Sequence, residues 1–196
     1  MKRRVTREEI IRTTWDLILR NGLRAVRVDE IAQTLEISKR TLYELFNDKD
    51  ALVEQCWDAI REKQKARIAD FLVYKPGVSL EQTQSLINEF ISNLCYISTS
   101  SLQELQRKEI YADIYEKGRR IWLDAFSQLL NNCITDGTLL PEVDCERFAN
   151  RMMTILYHMY LDNSTRQEME AFGWALLRGV ATQDGIKWLD NKRQKS

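Results

Sequence analysis

The chain has 196 residues, which is enough for one large domain or two small ones, each with a hydrophobic core. Hydrophobic residues make up 44% of it and charged residues 30%, which excludes a disordered chain, and its 29 basic residues are balanced by 29 acidic ones. Seven Gly and two Pro cannot supply the turns of an all-β fold, and apolar residues recur at spacings of three and four, so we predict an all-α protein of about nine helices.

Three short helices are predicted within the first fifty residues. The first covers about Thr6–Asn21, because its first residue and Glu9 have the spacing of a capping box and Gly22 can end it. A second covers about Val28–Leu35, and Ser38 can cap a third. The three form a compact unit that ends in a helix-turn-helix.

The third predicted helix carries most of the functional information. Leu42 and Phe46 are four residues apart and give it an apolar back. Lys39, Arg40 and Thr41 put cationic and hydrogen-bonding side chains at its N-terminal end. A helix that reads DNA in the major groove leads with that end, so the pattern predicts DNA binding.

The rest of the chain is predicted to be a larger helical body. Asp48 can cap a long fourth helix to about Val73, and we place the domain boundary at position 50, giving residues 1–50 and 51–196. Further helices are predicted from Ser79, from Ser100 or Ser101 through Tyr115, along the stripe from Ile121 to Ile134 that Gly137 closes, over Arg147–Leu161 after the cap Asp144, and from Thr165 to about Thr182.

The helix over Arg147–Leu161 has more apolar residues than one face can accommodate. They form one stripe of Phe148, Met152, Ile155, Leu156 and Met159, and a second set of Ala149, Met153, Tyr157, Tyr160 and Leu161. Such a helix needs cover on two sides, and a second copy of the chain can supply one of them. A helix buried within its own monomer is the other interpretation.

The N-terminal pattern resembles the TetR family of transcriptional regulators. The residues that carry the resemblance are Gly22, Asp29-Glu30-Ile31-Ala32, the run from Ile37 to Tyr43, Phe46, and Lys49-Asp50-Ala51-Leu52. The stretch Asp136-Gly137-Thr138-Leu139 is similar to that family's link between its seventh and eighth helices. The resemblance implies a helix-turn-helix DNA-binding domain over 1–50, an effector-binding and dimerisation domain over 51–196, and a homodimeric repressor that a small molecule releases from a near-palindromic operator.

The resemblance also assigns DNA-binding roles to single positions. They are Arg27, Ser38, Lys39, Arg40, Thr41, Tyr43 and Lys49. Arg40 can donate two hydrogen bonds to guanine, and Thr41 can meet a thymine methyl group or a phosphate. Lys39, Tyr43 and Lys49 suit the phosphate backbone, although solvated surface charge is the other interpretation of the two lysines.

Three positions depart from the family's usual pattern. Arg27 stands where a capping Thr is usual, so the cap of the second helix must come from elsewhere, with Asp29 as the candidate. Glu36 replaces the usual turn Gly, which predicts a strained or altered turn. Thr14 replaces a usual Ala in the core.

An effector pocket and a dimer interface are expected in the body. The candidate pocket residues are Phe90, Asn93, Tyr96, Tyr111, Tyr115, Trp122, Phe126 and His158, and they favour an apolar or aromatic effector. Plain core packing is the other interpretation of these aromatics. The candidate dimer-interface residues are Met153, Tyr157, Tyr160, Phe172 and Leu176.

Other classes of function have little support in the sequence. His158 is the single histidine, lies among apolar neighbours and is interpreted as a core residue, and no nucleophile or phosphate-binding motif appears, so an enzyme is not expected. The four widely spaced cysteines form no ligand motif, so neither a metal nor another cofactor is expected. With no signal peptide or membrane span, we expect a cytoplasmic protein; a helical adaptor, or a DNA-binding regulator that senses no ligand, is the alternative.

Overall fold

A computed structural model of the chain describes residues 5–74 and 77–193. The described part contains ten helices: α1 (Arg7–Asn21), α2 (Val28–Thr34), α3 (Lys39–Leu45), α4 (Lys49–Tyr74), α5 (Ser79–Tyr96), α6 (Thr99–Arg107), α7 (Glu109–Thr135), α8 (Cys145–Leu161), α9 (Arg166–Gly179) and α10 (Gln183–Arg193). The all-α prediction is confirmed, with one helix more than the nine expected. Within the described ranges, none of these helices combines the length and apolar character needed to cross a membrane.

Several helix starts follow the predicted capping residues, but α6 is capped by Ser98 and not by the predicted Ser100 or Ser101. Thr6 accepts a hydrogen bond from the Glu9 amide at 3.2 Å, and the Glu9 carboxylate accepts one from the Thr6 amide at 3.0 Å. Asp48 and Asp144 accept from amides in the first turns of α4 and α8. Each of these side chains satisfies a donor that the helix cannot, and this is why local sequence fixes where the helices begin.

Two helix boundaries differ from the prediction. The helix expected through Tyr115 ends at Arg107, Lys108 is extended, and α7 begins at Glu109. The polar run from Gln106 to Glu109 marks this break, because it interrupts the apolar face. The last predicted helix ends at Gly179, and Thr182, whose hydroxyl accepts from the Gly185 amide at 3.2 Å, starts the additional helix α10.

The chain divides into two compact units. The first contains the described residues up to Arg67 together with Ile97–Gly118, and the second contains Ile68–Tyr96 together with the residues from Arg119 onward. The helix-turn-helix and α6 therefore belong to the same unit. The functional division at position 50 stays a prediction.

In the first unit, α6 and the start of α7 are joined to the N-terminal helices by two hydrogen bonds. The Leu23 amide donates to the Ser101 hydroxyl at 3.0 Å in a buried position. The Tyr111 hydroxyl donates to the Asp50 carboxylate in the first turn of α4. Because buried polar groups are costly when unpaired, both bonds fix α6 and α7 against this part of the unit.

In the second unit, α5 and α9 approach each other closely. Gly173 on α9 faces Ile87 on α5, and a Cβ atom at Gly173 would lie 2.6 Å from the Ile87 Cγ2. The buried core residues of these two helices include Leu86, Met169 and Leu177. The absence of a side chain at Gly173 allows the two backbones to come this near.

Candidate nucleic-acid interface

The turn between α2 and α3 orients the third helix. Ser38 caps α3, since its hydroxyl accepts from the Thr41 amide at 3.1 Å and lies 2.9 Å from the Thr41 hydroxyl. On the opposite side of α3, Leu42 and Phe46 are buried in the core of the first unit. The apolar back predicted from the sequence is confirmed, and it leaves the remaining face of α3 toward solvent.

The solvent face of α3 carries Lys39, Arg40, Tyr43 and Glu44. The Arg40 side chain is 89% exposed, and its Nε lies 3.1 Å from the Glu44 Oε1. Tyr43 is 48% exposed. This face therefore offers a guanidinium, an ammonium and a phenol within one or two helical turns, which are the groups that contact base edges and phosphates.

Lys39 is held by an acid from α2. Its Nζ lies 2.6 Å from the Asp29 Oδ1, and the hydrogen bond to Asp29 raises the pKa of the Lys39 ammonium. The expectation that Asp29 caps α2 is wrong, because Arg27 is the N-cap residue and α2 has no side-chain cap hydrogen bond among its described residues. Asp29 lies inside the first turn of α2, where its negative charge interacts favourably with the positive end of the helix dipole.

Glu36, which stands where the family pattern usually has a turn glycine, adopts a left-handed backbone conformation that glycine tolerates best. Its φ is 54°, in the left-handed region that strains most residues with a side chain. The strained turn predicted from the sequence is confirmed. Glu36 is exposed, so it adds negative charge two residues before the cap of α3.

Lys49 points toward the protein in this structure. Its Nζ donates to the Leu23 carbonyl at 3.3 Å, and burial, with a contribution from the nearby Lys108, lowers the pKa of its ammonium. Arg27, by contrast, is exposed. Contacts of either residue with phosphate stay predictions.

Two acids form ion pairs with basic residues of α3, and neither pair was predicted from the sequence. Glu44 pairs with Arg40 at a spacing of four residues, which is a signal that the sequence contained. Asp29 pairs with Lys39 across the turn between two helices. A contact between residues ten apart on separate helices has no local periodicity that could have revealed it.

The candidate pocket residues of the second unit occupy different environments. Phe90, Trp122 and Phe126 are buried, with centroids 5.3 Å apart for Phe90–Trp122 and 6.0 Å for Phe90–Phe126, which is ordinary core packing of aromatic rings. Asn93 is half-buried and Tyr96 is exposed. His158 is exposed on α8, so its interpretation as a core residue is wrong.

The other two candidates belong to the first unit. Tyr111 is buried and bonded to Asp50, and Tyr115 is half-buried. A half-open cavity of about 550 Å³ lies elsewhere, in the second unit, between α5, α9 and α10. Its described lining, which includes Gln84, Asn88 and Trp174, contains none of the predicted pocket residues.

The candidate dimer residues divide into two groups. Met153 and Tyr157 are buried within the single chain. Tyr160, Phe172 and Leu176 are only half-buried, and Ile155 on α8 is 39% exposed. The apolar circumference of α8 is therefore partly covered by its own chain, and α8 and α9 also carry apolar side chains that the chain leaves partly open.

Comparison with known proteins agrees with this geometry. Residues 10–56 match the family model described as bacterial regulatory proteins, tetR family. No curated protein matches the chain at a significant level. Among solved structures, the reduced form of NemR from E. coli superposes with a TM-score of 0.76 at 18% identity, covering 90% of this chain and 96% of the other.

Two further structures have the same fold. A TetR-family transcriptional regulator from Agrobacterium tumefaciens superposes with a TM-score of 0.73 at 18% identity, covering 90% of this chain and 97% of the other. A putative transcriptional regulator from Saccharomonospora viridis, solved in complex with choline, gives 0.78 at 15% identity, with coverages of 90% and 98%.

The capped α3, its buried back and its exposed basic face define a helix-turn-helix DNA-binding protein. The N-terminal segment, residues 10–56, matches the tetR family of bacterial regulatory proteins, and the described chain has the fold of the regulators with which it superposes.

Proposed function

We propose that the protein is a homodimeric repressor that binds a near-palindromic operator and is released from it by a small-molecule effector. The observation that carries the proposal is the solvent face of α3, where Arg40 is exposed and Leu42 behind it is buried. A helix held in this way can enter the major groove without losing its packing. Because its proposed target is an operator in DNA, we place the protein in the cytoplasm. We assign it no catalytic role.

Each candidate DNA-binding residue has a role that suits its chemistry. Arg40 donates to guanine O6 and N7, and Thr41 meets a thymine methyl group or a phosphate. Ser38, Lys39 and Tyr43 contact the backbone and set the register of the helix. Arg27 and Lys49 add phosphate contacts, and Lys49 exchanges the Leu23 carbonyl for a phosphate oxygen when it does so.

A second copy of the chain supports two-fold recognition. The half-buried Tyr160, Phe172 and Leu176 and the exposed Ile155 give α8 and α9 an apolar surface that a partner copy would cover. Two copies related by a two-fold axis would present their α3 helices about 34–36 Å apart, one turn of DNA.

Because Phe90, Trp122 and Phe126 pack as core, the effector site that we propose is the cavity between α5, α9 and α10, whose lining includes Gln84, Asn88 and Trp174. One structural neighbour was solved with choline, a small organic cation, and choline therefore belongs in a first panel of compounds. A ligand that binds the folded chain would raise its melting temperature, and no shift across a broad panel would favour a regulator that senses no ligand.

The decisive experiment is selection of bound sequences from random duplexes with the full chain. We expect a near-palindromic site with half-site centres about 10–10.5 bp apart, and an affinity that falls as salt rises. Arg40→Ala should weaken binding and remove the guanine preference, whereas Lys187→Ala, an exposed cation on α10, should bind like wild type. Failure to enrich any sequence, or binding that does not depend on salt, would contradict the proposal.

A further inference from the structure

The pair formed by Arg40 and Glu44 lies on the face of α3 that the proposed function directs at DNA. The Arg40 Nε donates to the Glu44 Oε1 at 3.1 Å. Both side chains are exposed, Arg40 at 89% and Glu44 at 61%. An exposed pair of this kind contributes little to folding stability. Its location on the reading face distinguishes it from other pairs with the same spacing, such as Arg120–Asp124 and Arg166–Glu170.

We propose that Glu44 is a positioning residue that determines base specificity by holding the guanidinium of Arg40 for guanine. This inference rests on the proposed role of Arg40 in reading DNA. The guanidinium is planar and has five N–H donors. With the Nε–H bonded to Glu44, the two terminal nitrogens remain in the same plane, and they can donate together to guanine O6 and N7.

The negative charge of Glu44 favours the same outcome. A carboxylate near DNA is repelled by the phosphates, whatever the sequence, and this lowers affinity for every duplex. When Arg40 is bound to guanine, the orientation that Glu44 imposes strengthens the contact and offsets the repulsion. On another base the repulsion remains and nothing offsets it. Glu44 therefore lowers non-specific binding more than specific binding, and the difference between the two is specificity.

Direct reading of a base by Glu44 is the competing explanation, since a carboxylate can accept a hydrogen bond from the cytosine amino group. The two explanations differ at a measurable point. If Glu44 acts through Arg40, its loss changes the preference at the base pair that Arg40 reads. If Glu44 reads cytosine itself, its loss changes the preference at another base pair.

The test measures binding of the full chain to the selected operator, to operators changed at the guanine that Arg40 reads, and to an unrelated duplex. The variants are Glu44→Ala, Glu44→Gln, Arg40→Ala and the double variant R40A/E44A. Glu36→Gln is the matched control, because it removes one exposed carboxylate close to the same helix and cannot affect Arg40 through this hydrogen bond.

We expect Glu44→Ala to reduce the preference for guanine about tenfold, within the range that one bidentate base contact supplies, and to strengthen binding to the unrelated duplex. Glu44→Gln should keep part of the preference, since its amide oxygen still accepts from the Nε. In the Arg40→Ala background, removal of Glu44 should cause no further loss of preference. Glu36→Gln should strengthen binding to all duplexes alike.

Three results would overturn the inference. One is a change of preference at a different base pair with the guanine preference intact. Another is a double variant whose losses are the sum of the single ones. The third is a Glu44→Ala variant that behaves like Glu36→Gln. If the wild-type chain enriches no sequence, the proposed function is contradicted. If Arg40→Ala binds the selected site as tightly as wild type, this inference is overturned, but the proposed role as a DNA-binding regulator stands.

Discussion

The hydroxyl of Tyr111 donates a hydrogen bond to the carboxylate of Asp50, and this joins the start of α7 to the first turn of α4. Burial raises the pKa of the Tyr111 phenol, and the bond to Asp50 raises it further. Tyr111 was expected to line an effector pocket. In the structure this buried side chain bonds to the helix that follows α3.

Removal of this hydroxyl should destabilise the chain. Tyr111→Phe keeps the buried ring but leaves the Asp50 carboxylate without its donor, so we expect a loss of about 2 kcal/mol, the range for hydrogen bonds to charged groups. Urea denaturation measures the loss. Tyr74→Phe, at an exposed tyrosine on the same α4, should change stability by much less, and equal effects of the two substitutions would show that the bond contributes nothing.

The effect of Tyr111 should also depend on pH. Because its folded-state pKa is above the unfolded value of about 10, the folded chain keeps a proton that the unfolded chain loses, and stability falls as pH rises above about 10. Tyr111→Phe lacks this dependence. The difference in stability between wild type and variant should therefore be constant below pH 10 and shrink above it, and a constant difference up to pH 11 would contradict the assignment.

Glu36→Gly should stabilise the chain. It relieves the left-handed strain at φ 54°, about 1–2 kcal/mol, while the greater freedom of glycine in the unfolded chain costs about 0.5–1 kcal/mol, so a net gain of up to about 1.5 kcal/mol is expected. Glu54→Gly, at an exposed position inside α4, should instead lose about 1 kcal/mol. If urea denaturation shows that Glu36→Gly and Glu54→Gly both lower the free energy of unfolding, the turn at Glu36 is not strained.

Thr14→Val should also stabilise the folded chain. Thr14 is 1% exposed, and its hydroxyl has no hydrogen-bond partner among the residues that the structure describes. Valine has nearly the same shape without the polar atom, so we expect a gain of about 1 kcal/mol. The control is Thr154→Val, since the exposed Thr154 hydroxyl donates to the Asn150 carbonyl at 2.8 Å, and no gain is expected there. Destabilisation by Thr14→Val would mean that the hydroxyl is satisfied in solution.

Gly173→Ala should destabilise the second unit. The new Cβ would lie 2.6 Å from the Ile87 Cγ2, and overpacking of this kind costs about 1–3 kcal/mol, more than the helix propensity of alanine returns. Ile87→Leu removes the Cγ2 methyl and should recover part of the loss in the double variant. Gly118→Ala, with open space around the new Cβ, should gain stability. If the effects of Gly173→Ala and Ile87→Leu on the free energy of unfolding add in the double variant, the contact between these two residues is contradicted.

Local sequence predicted the features that depend on neighbouring residues. The caps Thr6, Ser38 and Asp144 satisfy amides within three residues, and the apolar back of α3 follows from a spacing of four. These interactions are encoded within one turn of helix, so the sequence reveals them directly.

The features that sequence did not predict depend on distant partners. Tyr111 and Asp50 are 61 residues apart, so no periodicity links them. Exposure of His158 follows from which side of α8 its own chain covers, and an apolar neighbourhood in sequence does not decide that. The break at Lys108 was marked by a polar run, yet whether such a run bends or ends a helix depends on what the flanking apolar residues pack against.

The buried hydrogen bond from the Leu23 amide to the Ser101 hydroxyl has a consequence for protein engineering. A fragment cut at residue 50 would keep the reading helix but leave this amide unpaired and remove Tyr111 from Asp50. Exchange of DNA-binding heads between regulators at that point would therefore yield weakly stable chimeras. A transplant that carries residues 97–118 along with the N-terminal helices would keep the donated α3 within the unit that packs around it.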